Sequence, residues 1–220
     1  NWLSTSLVNR AAQQRSYSLI CRIETMIKSP VYLDYNATTP CDPRVLETML
    51  PYFSTNFGNA ASKTHAFGWV AEEAVAIGRE QVANLVGADP TEIIFTSGAT
   101  EAINLALQGV FETYHAKGNH IITLQTEHKA VLDTCDALER KGASITRLEV
   151  DAHGLPDLTA LKKAIQPNTI LIAMMYANNE TGIIMPVKEV GKIAKQHGVL
   201  FFTDATQAIG KILVDVLEDE

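Results

Sequence analysis

From Val31 onward, short apolar runs alternate with longer stretches in which apolar residues recur every three or four positions. The first kind reads as strand and the second as helix, because side chains repeat every two residues along a strand and about every 3.6 along a helix. A first helix is predicted over residues 44–52, with Asp42-Pro43 as its cap and first turn. In residues 67–86 the apolar positions Phe67, Val70, Ala74, Val75, Val82 and Leu85 are spaced for one helical face, and Gly87 stops the helix. Asp89-Pro90 then turns the chain into a predicted strand, 92–95, followed by a helix over 98–111.

The alternation repeats as strand 120–124, helix 129–140 ended by Gly142, strand 144–150, helix 157–165 and strand 169–176. Helix 187–197, ended by Gly198, and strand 199–203 complete it. Strands this uniformly apolar are expected to be buried on both faces, which gives an α/β fold with a mainly parallel sheet flanked by helices. No internal repeat or low-complexity linker interrupts the pattern.

In such sheets ligands bind outside the carboxyl ends of the strands. The residues just past those ends are Ser97-Gly98-Ala99-Thr100, Glu127-His128, Asn178 to Gly182, and Asp204-Ala205-Thr206-Gln207. The first group is a strand-to-helix corner, where unpaired N–H groups and a partial positive charge suit a phosphate. It reads equally as a plain N-cap by Ser97. Asp204 follows an apolar run, where a carboxylate needs a cation or donor; it reads either as a counter-ion for a charged heterocycle or as a turn residue. Gln207, three residues on, could bond the same ligand. His128 is either a cap or a flat ring that stacks on a ligand and moves protons. Asn178 and Asn179 are turn formers or amide donors. Together, a phosphate cradle, an acid for a ring nitrogen, a flat ring and amides describe a pyridoxal phosphate pocket.

Composition narrows the alternatives. The chain has 220 residues, 46% apolar, and a net charge of −7, enough to bury a core. Its Lys and Arg residues are scattered, never more than two together, as at Lys162-Lys163, which argues against direct nucleic-acid binding. The longest apolar run, 170–177, has the length of a buried strand and not the roughly 18 residues of a membrane span. The absence of GxxxxGK and GxGxxG turns counts against a nucleotide-binding α/β domain. Cys21, Cys41 and Cys135 share no CxxC or metal-ligand spacing and read as reduced thiols, so no metal site is expected. Residues 1–25 carry Arg10, Arg15 and Arg22 with one acid, Glu24, a transit-peptide-like composition. They are read as a leader or non-native extension before Met26, expected to be disordered and left out of the fold. The expected location is the cytoplasm, or the mitochondrial matrix if this segment targets it.

VYLDYNATTP (31–40), FTSGATEAINLA (95–106), TEHKAVLDTC (126–135), NNETG (178–182) and DATQAIGK (204–211) resemble the cysteine desulfurases. These are class V aminotransferase-group, fold-type I pyridoxal phosphate enzymes, and the ATTP, TEHKAVLD and NNETG forms resemble the housekeeping iron–sulfur branch. The resemblance runs from about Val31 to the C-terminus. It implies that residues 41–220 are part of a large cofactor-binding domain, that 26–40 belong to the small domain, and that the chain stops before the C-terminal small domain. By position, it assigns Ala99 and Thr100 to the cofactor phosphate and His128 to stacking on the pyridine ring and to proton transfer. Asn179 would contact the phenolic oxygen or the substrate carboxylate, Asp204 the ring nitrogen, and Gln207 the phenolic oxygen.

The implied chemistry removes sulfur from L-cysteine, giving L-alanine and an enzyme persulfide for iron–sulfur cluster assembly and tRNA thiolation. The implied partners are scaffold or sulfur-acceptor proteins and a second copy of the chain. The resemblance also places the cofactor-bearing lysine and the sulfur-accepting cysteine beyond Glu220. Lys211 belongs to the ordinary GK after DATQ, and Cys41 and Cys135 do not match the nucleophile. The 220-residue chain alone is therefore expected to be inactive and to leave a strand edge and apolar surface uncovered. A selenocysteine lyase, another class V enzyme, or a non-catalytic fragment that only dimerises are the remaining readings.

Overall fold

The computed structural model describes residues 30–218. The readings placed on residues 1–25, Cys21 among them, lie outside the described residues. The chain divides into two units, one ending at Pro40 and one starting at Cys41. In the first, the N–H groups of Ala37 and Thr38 donate to the Asp34 carbonyl, and the Tyr32 and Tyr35 rings meet edge-on at 5.3 Å.

The second unit opens with α1 (Pro43–Ser54), where the Asp42 side chain accepts from the Arg44 N–H and Pro43 occupies the first turn. Helix α2 (Ala66–Val86) ends at Gly87, whose φ of 70° is the left-handed conformation glycine adopts without a Cβ clash. Then follow α3 (Ala99–Tyr114), β1 (His120–Leu124), α4 (Lys129–Arg140), β2 (Ser144–Leu148) and α5 (Leu158–Ala164). The remaining elements are β3 (Thr169–Ala173), α6 (Val187–His197) and β4 (Leu200–Phe202). The four strands lie in the order β2-β1-β3-β4, and every pairing is parallel.

Two apolar layers hold the sheet. On one face Ile122, Leu124, Ile172 and Met174 pack with Leu161 of α5 and Val190, Ile193 and Ala194 of α6. On the other, Ile121 and Leu171 pack with Ile103 and Leu107 of α3 and Val131, Cys135 and Leu138 of α4. Each fully buried Leu or Ile contributes about 1.5–3 kcal/mol relative to exposure. The expected burial on both faces holds for the central strands β1 and β3, whose residues are all buried. It fails for the outer strands β2 and β4.

The expected strand 92–95 does not form. Pro90–Glu92 is a 3-10 turn closed by Asp89 and Glu92, and the residues after it carry no strand pairing. Ile94 is 73% and Phe95 52% exposed. A β-favouring run becomes a strand only against a neighbour that accepts its ladder, and none of the described strands pairs with it. β2 also ends before Val150, which instead makes an antiparallel bridge to Pro156. Beyond β3 the regular ladder stops, but the N–H groups of Met174 and Tyr176 still donate to the Phe202 and Asp204 carbonyls. In α2 the apolar stripe is uncovered: Phe67, Val70, Val75, Val82 and Leu85 are exposed, while Gly68, Ala71, Ala83 and Val86 are buried.

Candidate active site

Helix α3 sets the first part of the site. Its C-terminal end leads through residues 115–119 into the start of β1, and its Ile103 and Leu107 pack on the sheet. The helix therefore runs antiparallel to the strands, and its N-terminus lies at their carboxyl edge. There Gly98 is the N-cap and supplies no side-chain acceptor. A Cβ at Gly98 would meet nothing within 4 Å, so the first turn, with Ala99 and Thr100, is open to a ligand. Orphan N–H groups and the helix dipole favour an anion at such a point. The alternative reading, a plain N-cap by Ser97, does not hold. Instead the Ser97 hydroxyl and N–H donate to the Glu101 carboxylate at 2.5 and 2.7 Å. Those two bonds, the hydroxyl's first, hold the Glu101 carboxyl below its ordinary value.

Helix α4 brings the second part. His128 is its N-cap, and Nδ1 accepts from the Ala130 N–H at 3.1 Å. The capping reading thus holds, and with Nδ1 accepting, the tautomer of a neutral ring carries its proton on Nε2. The ring is exposed at the mouth of the sheet.

The loop after β4 brings the third. Asp204 Oδ1 accepts from the Thr206 N–H at 3.0 Å and the Thr206 hydroxyl at 2.6 Å, so the turn-residue reading also holds. Phe202 packs toward the layer built on α3 and α4. Side chains alternate along a strand, so Asp204, two residues on, belongs to that same face. The topology therefore brings Ala99, Thr100, His128 and Asp204 to one face of one edge. Asn179 and Gln207 follow β3 and β4 at that edge. Asn178 is a loop organiser: its Oδ1 accepts from the Glu180 and Thr181 N–H groups, and its Nδ2 donates to the Thr126 carbonyl at 3.1 Å. The Lys211 amine is engaged by the Gln207 side-chain oxygen.

The same edge carries unmet polar demand. Thr123, Thr126, Glu127 and Thr203 each bury a side-chain oxygen that has no hydrogen-bond partner among the described residues. Each such atom costs about 1–3 kcal/mol if nothing satisfies it, and folded proteins tolerate few. All four sit at or just past the carboxyl ends of β1 and β4. At the opposite edge, buried His120 has both ring nitrogens paired, with the Thr169 and Thr146 hydroxyls at 2.7 and 2.8 Å. The unmet atoms fit a polar ligand seated at the rim.

Glu127 was visible in the sequence only as a strand-end polar residue, with no role. It is 6% exposed, and its Oε1 accepts from the Met175 N–H at 2.8 Å. Burial pushes its carboxyl up to about 8; the Met175 bond opposes this, and the Asp204 charge adds to it. The thiol of buried Cys135 is likewise pushed up, to about 11, mainly by burial, so it is a poor nucleophile. Cys41 is exposed.

The sequence profile of the family described as aminotransferase class-V matches residues 31–218. The chain belongs to the class-V aminotransferase family. Among curated relatives, the cysteine desulfurase IscS of Anaeromyxobacter sp. (strain K) is 58% identical over 190 residues, covering 86% of this chain and 47% of the relative. The IscS of Methylococcus capsulatus is 55% identical with the same coverage. The chain spans about half the length of these relatives. A solved NifS-like protein matches with a TM-score of 0.84 at 42% identity, over 86% of this chain and 52% of that one. A structure of SspA in complex with cysteine matches at 0.82 and 40% identity, over 86% and 54%. These neighbours share the fold-type I architecture. The class-V family and its cysteine desulfurases are pyridoxal-phosphate-dependent.

Proposed function

We propose that the whole protein to which this chain contributes is a pyridoxal-phosphate-dependent cysteine desulfurase. It takes sulfur from L-cysteine, releases L-alanine and carries the sulfur as an enzyme persulfide. The observation that carries this reading is the shared rim: the uncapped start of α3, His128 and Asp204 on one face of one sheet edge, beside buried polar atoms without partners. The likeness of half the molecule to IscS proteins, and the cysteine in the SspA structure, support the amino-acid substrate.

In this reading the N–H groups of Ala99 and Thr100 and the Thr100 hydroxyl hold the phosphate. Asp204, steadied by Thr206, pairs with the ring nitrogen. Asn179 and Gln207 bond the phenolic oxygen or the substrate carboxylate. The bound cofactor supplies an electron sink that weakens bonds to the substrate's α-carbon. His128, with Nδ1 occupied by Ala130, presents its Nε2 side for stacking and proton transfer. Iron–sulfur scaffolds and tRNA thiolation are the proposed destinations of the sulfur, and a homodimer is the proposed assembly.

The test uses the full-length protein with pyridoxal phosphate and L-cysteine. Alanine should form, and mass analysis should find one extra sulfur on a cysteine. Asp204→Asn should lower kcat/KM by about 100-fold, the effect of roughly 3 kcal/mol. The 220-residue chain alone should give neither alanine nor a borohydride-trapped cofactor adduct. Turnover of a different amino acid with none of L-cysteine, or an adduct on Lys211, would contradict this account.

A further inference from the structure

Glu127 is the one buried carboxyl among the described residues with an oxygen, Oε2, that has no hydrogen-bond partner, and its surroundings are specific. The N–H groups along the extension of β3 alternate in direction. Met174 and Tyr176 donate to the β4 side, at Phe202 and Asp204, while Met175 donates to Glu127. Continuing the register Ala173↔Phe202 sets Met175 opposite Asp204. Glu127 and Asp204 therefore flank a single strand, whose neighbours lie about 5 Å away on each side. The titratable groups bearing on Glu127 are Asp204 from the β4 loop, Cys135 from α4 and its chain neighbour His128. No cation is among them. Burial first, and the Asp204 charge after it, disfavour ionisation of the Glu127 carboxyl, while the Met175 N–H opposes this.

We propose that Glu127 is a positioning residue of the cofactor rim: it enters as a neutral acid, so that the Glu127–Asp204 pair keeps one proton, held on Glu127, and presents its single negative charge at Asp204. This rests on the cofactor reading above. One carboxylate balances one ring cation. A second would leave the rim with a net negative charge that repels the substrate's carboxylate and the cofactor phosphate. Ionisation of Glu127 in alkali thus weakens amino-acid binding while leaving the groups that move protons in place.

The experiment follows the side-chain carboxyl of Glu127 by carbon NMR in full-length protein labelled at glutamate Cδ, first without and then with pyridoxal phosphate. Glu127→Gln and, independently, Glu127→Asp assign the signal. It should titrate near pH 8 in the cofactor-free protein. The midpoint should fall in Asp204→Asn, which removes the repelling charge, and should fall again when the cofactor's cation is bound. The ratio of L-cysteine KM in the wild type to that in Glu127→Gln, in which the substrate's own titration cancels, should rise several-fold above the midpoint found with cofactor bound, with kcat ratios flat. A midpoint in the ordinary carboxylate range, or one unmoved by Asp204→Asn, overturns the shared proton. A midpoint unmoved by bound cofactor overturns the positioning role and leaves the cofactor reading intact. Failure of pyridoxal phosphate to bind removes that reading, and the positioning role with it, while the NMR of the free protein still reports the shared proton.

Discussion

Glu101 and Glu127 take the same side chain in opposite directions. Exposed Glu101 receives the Ser97 hydroxyl and N–H, which favour its charged form, so any stability it adds is present above its unfolded value and lost as pH falls. Glu127 is buried with one N–H, and its neutral form is favoured, from an ordinary 4.5 up to about 8. The folded protein therefore holds a proton that the unfolded chain has released. The stabilisation is complete below about pH 4.5 and is lost as pH rises to about 8. Glu127→Gln cannot ionise, so urea melts at pH 5 and pH 8 should show the wild type losing more stability than the variant across that interval. Equal losses would refute the buried neutral acid. Thr100, His128 and Asp204 were legible in the sequence because each follows an apolar run. The state of Glu127 was not, because it depends on the Met175 N–H 48 residues away and on an Asp204 charge that only the strand order brings near.

Among elements, α3 links core to site: its middle is buried in the sheet layer and its first turn forms the rim. Leu107 is fully buried. Leu107→Ala should cost about 2–5 kcal/mol by cavity formation. Denaturation should show a lower midpoint at an unchanged denaturant slope; a loss under about 1 kcal/mol would mean the helix is not docked as described. The limits of β1, α4 and α6 were readable from the sequence because caps and periodicity agree there. Asp42-Pro43, Gly87 and Gly198 mark their helix ends by local chemistry that needs no tertiary partner. The segment 92–95 has strand composition without strand structure because a strand is a property of two segments, and the sequence shows one at a time. The face of α2 was misleading for the same reason: its spacing was correct, but within the second unit its large apolar side chains stay exposed, even Phe67, on which Phe57 stacks.

Across the second unit, apolar surface is left bare. Helix α1 buries no residue, and Val45, Leu46, Met49, Leu50 and Phe53 are exposed. A groove of about 570 Å³ runs between α1 and α2, lined by Val45, Met49, Tyr52 and Ile77 among others. A second, of about 540 Å³, lies beside Ile94, Leu105 and Phe202. Contiguous apolar area on this scale goes with a covering surface, and the chain spans about half the length of its relatives. The 220-residue chain alone should therefore self-associate at micromolar concentration in light scattering, and Leu50→Lys with Phe53→Lys should reduce this; a monodisperse monomer would contradict it. The central claim, that the rim after β1, β3 and β4 seats pyridoxal phosphate against Asp204, is tested most directly by equilibrium titration of the cofactor into full-length wild type and Asp204→Asn. The account predicts a Kd weakened about 10- to 100-fold in the variant, as loss of a charge-assisted contact of roughly 1.5–3 kcal/mol requires. An unchanged Kd and cofactor spectrum would contradict it.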